Sequence, residues 1–277
     1  MSTAEQNHRF PWGTSSAKSS SPKNFLPLRV SDHFLGWIIP LGILLVWEAL
    51  ARDAILPPNW LPAPSVIART IYEMAIAGDL WRHVGITVAR VALGFLIGAT
   101  AGTVLGAVTG YFPVARKLLD PLLQSLRSVP SIAWVPLFVL WLGIQEASKI
   151  ALISLGAFFP VYLNLSVAIR HVDPKILEVG KLYRLGGFQM VRRLILPAVM
   201  PEYIVGLRSG LGLAWMFVVA AELLGASSGI GFLMVDGQMT GRAAIIVASV
   251  LLFAICGKAT DWAMSATGSK LLGHRAP

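Results

Sequence analysis

A chain of 277 residues that is 55% hydrophobic and only 13% charged does not fit a soluble globular protein, for which about 25% charge is usual. Apolar surface in that excess needs lipid as its solvent, and the length suits one domain with no separate hydrophilic module. The formal net charge of +9 does not read as nucleic-acid binding, because the basic residues gather in loops between apolar runs rather than on one face among stacking aromatics.

Residues 1–32 are polar and rich in serine, with TSSAKSSSP at their centre, a composition that does not repay the entropy of ordering. A flexible tail is expected, and Arg9, Lys18, Lys23 and Arg29 favour the cytoplasm. Ala49-Leu50-Ala51 resembles a signal-cleavage site. The stretch before it is too long and its apolar run too extended for a secretory leader, so an uncleaved first span is expected.

Six apolar runs follow, at 34–50, 84–110, 121–142, 150–169, 201–224 and 243–262, each near the roughly 20 residues that cross a hydrocarbon core. The third is interrupted by Arg127, Pro130 and Pro136. The fold expected is an all-α integral membrane protein with six transmembrane helices over 33–265 and a short cytoplasmic C-terminal tail at 266–277. With the N-terminus inside, the cytoplasmic segments hold Arg116, Lys117, Arg170, Lys175, Lys181, Arg184, Arg192, Arg193, Lys270 and Arg275 besides the basic tail. The opposite side holds only Arg52, Arg69, Arg82, Lys149 and Arg242. That asymmetry, with an even number of spans, predicts both termini in the cytoplasm. Trp37, Trp60, Trp81, Trp141 and Trp262 fall near span ends, as interfacial aromatics do.

Between the first two spans, Pro62 and Pro64 mark a turn, and 66–77 has helical apolar spacing with Arg69 and Glu73 on another face. Either an amphipathic helix on the outer surface or a plain connector satisfies this pattern. In the second span Gly94, Gly98, Gly102, Gly106 and Gly110 recur at every fourth residue. Such a stripe serves close approach of another helix, within one subunit, at a subunit interface or at a moving surface.

The segment 171–203, HVDPKILEVGKLYRLGGFQMVRRLILPAVMPEY, lies between the fourth and fifth spans on the predicted inner side. Asp173-Pro174 is a helix-start signal, since Asp caps free amides and Pro suits the first helical position. Gly186-Gly187 is expected to break that helix, and a second short helix from Phe188 to end at Leu196, before Pro197. Phe188, Met190, Val191 and Leu194 are costly to leave in water. The segment is therefore a docking knob for a partner or an amphipathic loop on the membrane surface.

Glu178-Val179-Gly180 followed by Leu196-Pro197 resembles the EAA loop of bacterial ABC importer permeases, in which EAA is followed four residues later by Gly and ends in I-x-LP. Gly180 stands at the second Ala position, Leu194 at the Ile position and Arg184 at the loop glycine position. Because glycine permits a tight bend, Arg184 is expected to shift that bend, onto Gly186-Gly187. LPAPSVI, LRSVPSIAWVPLFVLWLGI, FFPVYLNL, LPAVMPEYIVGLRSGLGLAW and VAAELLGASSGIGFL are similar to the sulfonate, taurine and nitrate permeases, most of all to those for aliphatic sulfonates. The resemblance implies an ABC importer permease fold in the cell inner membrane, with the loop docking a separate cytoplasmic ATPase subunit. It also implies a second permease copy, by default identical, and an external substrate-binding protein. The cargo implied is a small anionic organosulfur solute; taurine, nitrate or another small solute, or a channel, are the alternatives.

No enzymatic constellation is visible. Gly257-Lys258-Ala259 lacks the first glycine and the hydroxyl of a phosphate-binding loop. His8, His33, His83, His171 and His274 are scattered, without HExxH or Cys/His ligand spacing, and there is no G-x-S-x-G elbow. Lone Cys256 reads as a small buried hydrophobe. No catalytic residue, metal or cofactor is expected. Ionisable groups within spans each need a reason. Arg90, Arg208 and Glu222 are candidates for the translocation pathway or for an internal ion pair; Arg127 is a further charge within a span, and Lys258 with Asp261 suits a structural pair.

Overall fold

The computed structural model describes residues 32–273, apart from 54, 56, 58 and 224. The expected N-terminal tail lies outside the described residues, apart from Asp32, which begins a helix. Residues 1–44 and 45–277 form two units, and every helix after the first belongs to the second unit. Among the described residues every regular element is helical.

α1 (Asp32–Arg52) occupies the first predicted span. Its last turns belong to the second unit, where Glu48 accepts from Arg52 Nε at 2.7 Å and from Ser65 N and Oγ at 3.0 and 2.7 Å. Ser65 opens α2 (Pro64–Ala77), whose first amides have no partner within the helix, so a carboxylate from α1 supplies one. α2 is the amphipathic helix among the two readings of 66–77. Ile67 is buried, Ile71, Met74 and Ala75 pack toward Leu80, Ile230 and Leu252, and Arg69 pairs with Glu73 on the exposed face.

The core is a three-helix pack of α3 (Asp79–Tyr111), α6 (Glu146–Arg170) and α9 (Leu196–Leu223). Val91, Phe95 and Ala99 meet Ile153, Ala157 and Val161, with Leu211, Ala214, Trp215 and Val218 closing the third side. The glycine stripe of α3 faces α6. A Cβ at Gly94 would stand 2.5 Å from Ile153 Cγ2, one at Gly102 2.7 Å from the Phe158 carbonyl, and one at Gly106 2.9 Å from the Tyr162 carbonyl. At Gly98 it would collide with the Ser154 carbonyl. Bare backbone is therefore what lets α6 lie this close.

The third predicted span is not one straight helix. α4 (Pro113–Ser128) and α5 (Trp134–Leu142), the latter entered through a 3₁₀ turn at Ser131–Ala133, are bent by 88° at the break. The physical cause is Pro130, which has no amide to donate and pushes Val129 into extended backbone, ψ 124°. The fifth span also begins earlier than expected. After α7 (Pro174–Leu182) and the single turn α8 (Gly187–Met190), the chain passes through a π-helical turn at Val191–Ile195 straight into α9. Leu196-Pro197 opens that helix rather than ending the previous one, since Pro is tolerated in a first turn. α10 (Ile230–Met239) and α11 (Ala243–Leu272) complete the fold, and α11 runs past the expected end of the last span.

Four stretches of the described residues are long and apolar enough to cross a membrane: Asp79–Tyr111, Glu146–Arg170, Val191–Leu223 and Ala243–Lys270. The bent α4–α5 pair would make five. The predicted count of six is thus supported for four or five spans among the described residues.

Candidate functional site

Two places concentrate residues that packing alone does not explain. The first is the segment joining α6 to α9. Asp173 accepts from Lys175 N at 2.9 Å with Pro174 in the first helical position, which is the start that the sequence signals. The end of α7 differs from expectation. Arg184 itself adopts φ +50°, the sole positive φ outside glycine among the described residues. Its N–H donates to the Lys181 carbonyl at 2.9 Å, and Leu185 N–H reaches back to the Gly180 carbonyl at 3.0 Å. Those two bonds form the Schellman closure, whose left-handed position is ordinarily glycine. The bend has therefore not moved to Gly186-Gly187, neither of which takes a positive φ. The two satisfied carbonyls hold Arg184 in a conformation that costs an L-residue about 1–2 kcal/mol.

Gly180 is buried, and a Cβ there would lie 2.6 Å from Met190 Cε and 2.7 Å from Leu194 Cδ1. It is the point where α7 rests on the turn that leads into α9. Met190 joins Leu165, Ala168, Ile195 and Val199 in a core cluster, so the segment is seated on the bases of α6 and α9. The apolar surface it presents comes from α7: Val179, Leu182 and Tyr183 are 48%, 81% and 74% exposed. Of the four residues expected to carry that surface, Val191 is exposed, Met190 and Leu194 are half-buried, and the side chain of Phe188 lies outside the described part of the chain. Glu178, Gly186, Leu196 and Pro197 are exposed.

The second place is a charge cluster at the end of the bundle that holds the N-termini of α3 and α6 and the C-terminus of α9. Arg90 is 3% exposed and fully occupied. Its Nη1 donates to Glu222 Oε1 at 2.7 Å and to the Ser228 carbonyl at 2.6 Å, while Nε and Nη2 form a fork on Glu146, both at 2.6 Å. Glu222, 1% exposed, also accepts from Thr87 Oγ1 at 2.8 Å and Gly231 N at 2.7 Å. Thr87 Oγ1 in turn accepts from Ile230 N at 2.8 Å, and His83 Nδ1 from Gly229 N at 2.9 Å. Buried charge is tolerated only when its lone pairs and protons are matched in this way. The glycines of SSGIG make room for it: Gly229 sits at φ +118°, and a Cβ there would lie 2.5 Å from Glu222 Cδ.

Arg90 and Glu222 are thus brought together, and Arg208 is kept apart from them. Arg208 forks onto Asp261 of α11 at 2.9 and 3.0 Å, with Lys258 Nζ 3.9 Å from the same carboxylate. Sequence reasoning missed Glu146, Thr87, His83 and Ser228. Glu146 lies just beyond the LRSVPSIAWVPLFVLWLGI stretch and stands three residues before Lys149, with which it pairs at 3.3 Å; its link to Arg90, 56 residues away, has no local signal. No group of His, Cys, Asp and Glu able to hold a metal occurs among the described residues.

Residues 94–271 match the family described as binding-protein-dependent transport system inner membrane component. The chain is 40% identical over 240 residues to the putative aliphatic sulfonates transport permease protein SsuC of Bacillus subtilis (strain 168), covering 87% of each. It is 36% identical over 225 residues to the protein of the same description in Escherichia coli (strain K12), covering 81% of this chain and 86% of that one. With the taurine transport system permease protein TauC of Escherichia coli (strain K12) it shares 31% over 218 residues, 77% of this chain and 79% of the relative.

Proposed function

The chain belongs to the family of binding-protein-dependent inner-membrane transport components, and on that premise we propose that it is the permease subunit of an ATP-driven importer of aliphatic sulfonates. The observation that carries the cargo class is the 40% identity extending over 87% of a sulfonate permease. A partner ATPase and a substrate-binding protein follow from the family. We read the ATPase as a separate chain, since no phosphate-binding loop occurs in this sequence, and the second permease as another copy of this one.

In this reading both termini are cytoplasmic, so the α7 segment faces the cytoplasm and the Arg90 cluster faces outward. Glu178, Val179, Gly180, Leu194, Leu196 and Pro197 carry the ATPase-docking role, with Arg184 and Gly186 shaping the turn. Exposed Val179, Leu182 and Tyr183 are the apolar contact that such a partner would cover. Because Met190 and Ile195 pack on the bases of α6 and α9, a push on α7 is delivered to the two helices that line the core. Alternating access then requires the motor to bind the outward and inward states with different affinity. The Arg90–Glu222 link acts as a tie that holds α3 to α9 at the outer end through the cycle.

The experiment is growth of a strain lacking this chain on sulfate, taurine or an alkanesulfonate as sole sulfur source, with nitrate as a nitrogen control. Failure on the alkanesulfonate alone, restored by the intact chain, is expected. Growth on every sulfur source would remove the sulfonate reading, and failure on taurine or nitrate alone would transfer the cargo to that solute.

A further inference from the structure

We propose that the cleft beneath the α4–α5 bend is the place where the permease itself holds the anionic head of its solute in transit, with Arg127 as the charge partner. This rests on the importer reading above and adds a ligand site to it. The cleft has a volume of about 390 Å³. Its bend side carries Arg127, Ser131 and Trp134, and its far wall is built from the central stretch of α6, with Phe159 and Asn164, and from Phe217 of α9.

The first argument is charge. Three arginines fall within the predicted spans. Arg90 and Arg208 are forked onto carboxylates at 2.6 Å and 2.9–3.0 Å. Arg127 has no ion pair or side-chain hydrogen bond among the described residues, and the cleft lining includes no Asp or Glu. Arg127 is exposed, lies within the third predicted span and lines the cleft; a cation without a carboxylate that turns to a cavity within a span is the arrangement that marks an ion or substrate path.

The second argument is backbone. A helix bent by 88° between two apolar stretches leaves non-helical backbone at Val129 and Pro130. Within a bilayer that is tolerated where the backbone is buried in protein or borders a wet cavity, and this cleft is the cavity it borders. Ser131 Oγ and Trp134 Nε1 make no hydrogen bond among the described residues either, so three donors of different kinds line one opening. Asn164 keeps its amide on the Pro160 carbonyl at 2.8 Å.

The third argument is shape and chemistry. A sulfonate offers three oxygens in a fixed tripod, of which a guanidinium engages two at once. Trp134, Phe159 and Phe217 offer apolar faces for a short alkyl chain, the mix of few polar groups and an apolar wall typical of small-molecule sites.

The test uses the complete importer in proteoliposomes, with Ser131→Cys as a reporter in a Cys256→Ser background. Thiol labelling is timed with an anionic sulfonatoethyl thiosulfonate reagent and with its cationic trimethylammonioethyl counterpart. Arg127 is expected to favour the anionic reagent by about tenfold over an Arg127→Gln protein, the size of one charge-assisted hydrogen bond. Ethanesulfonate should slow the labelling with Arg127 present and have no effect in Arg127→Gln, while Arg127→Lys keeps the preference and weakens the protection. Ethanesulfonate uptake by Arg127→Gln should fall by a similar factor, with ATP hydrolysis stimulated by the binding protein retained. Equal reagent preference in the Arg127 and Arg127→Gln proteins would overturn the cleft while leaving the importer reading intact. An Arg127-dependent preference in an importer that moves no alkanesulfonate would uphold the anion cleft and remove only the cargo.

Discussion

Arg90 and Glu222 lie 132 residues apart in the chain and 2.7 Å apart in the fold, both out of solvent. The pair joins the second and fifth predicted spans, and Glu146, in the first turn of α6, shares the same guanidinium. Three core helices are thereby tied at one end by one side chain.

Arg90→Met leaves Glu222 charged and buried without a cation and should lower stability by about 3–5 kcal/mol, read as thermal unfolding of the purified protein in detergent. Glu222→Leu should cost less, because Arg90 keeps its fork on Glu146. The double replacement should be less damaging than the sum of the two, because no uncompensated charge remains inside. Additive losses would mean that the two groups do not act as a pair.

Arg184 is the residue to test for backbone strain. Arg184→Gly removes the penalty of φ +50° and should stabilise the protein by about 1 kcal/mol, whereas Arg184→Ala keeps the penalty and should not. Equal stability of the two variants would place the effect in the side chain instead.

At the α3–α6 contact, Gly98→Val should be among the most damaging of the glycine replacements, since even a Cβ there meets the Ser154 backbone rather than a movable side chain. A loss of about 1–3 kcal/mol is expected from such overpacking. Gly212→Ala is the control, because nothing lies within 4 Å of a Cβ at that position. Similar losses at both would show that helix propensity, not close approach, is being measured.

For the α7 segment, Glu178→Ala and Gly180→Leu should uncouple ATP hydrolysis from uptake in the assembled transporter. The isolated permease should keep its helicity and its unfolding temperature to within a few degrees. In Gly180→Leu the added bulk displaces Met190 and Leu194, so the knob moves relative to α9. Normal coupling in both variants would place the docking contact elsewhere.

Much of this organisation was legible in the residues themselves. Apolar runs locate the helices because lipid offers no partner to a free backbone group. Asp173-Pro174 starts α7, and the glycine stripe identifies the face on which α3 accepts a neighbour. Each of these is a local property, set by a few adjacent side chains. Tertiary structure alone decided what depends on residues distant in sequence. It placed Glu146 on Arg90, put Asp261 rather than Glu222 on Arg208, and left Arg127 facing a cleft without a carboxylate. It also kept the turn at Arg184, where two hydrogen bonds from the loop to α7 carbonyls outweigh the steric cost of a left-handed arginine. The physical reason is the same in each case. Charge pairing and backbone strain are settled by which groups the packed helices bring within a few ångströms, and helix spacing along the chain carries no record of that.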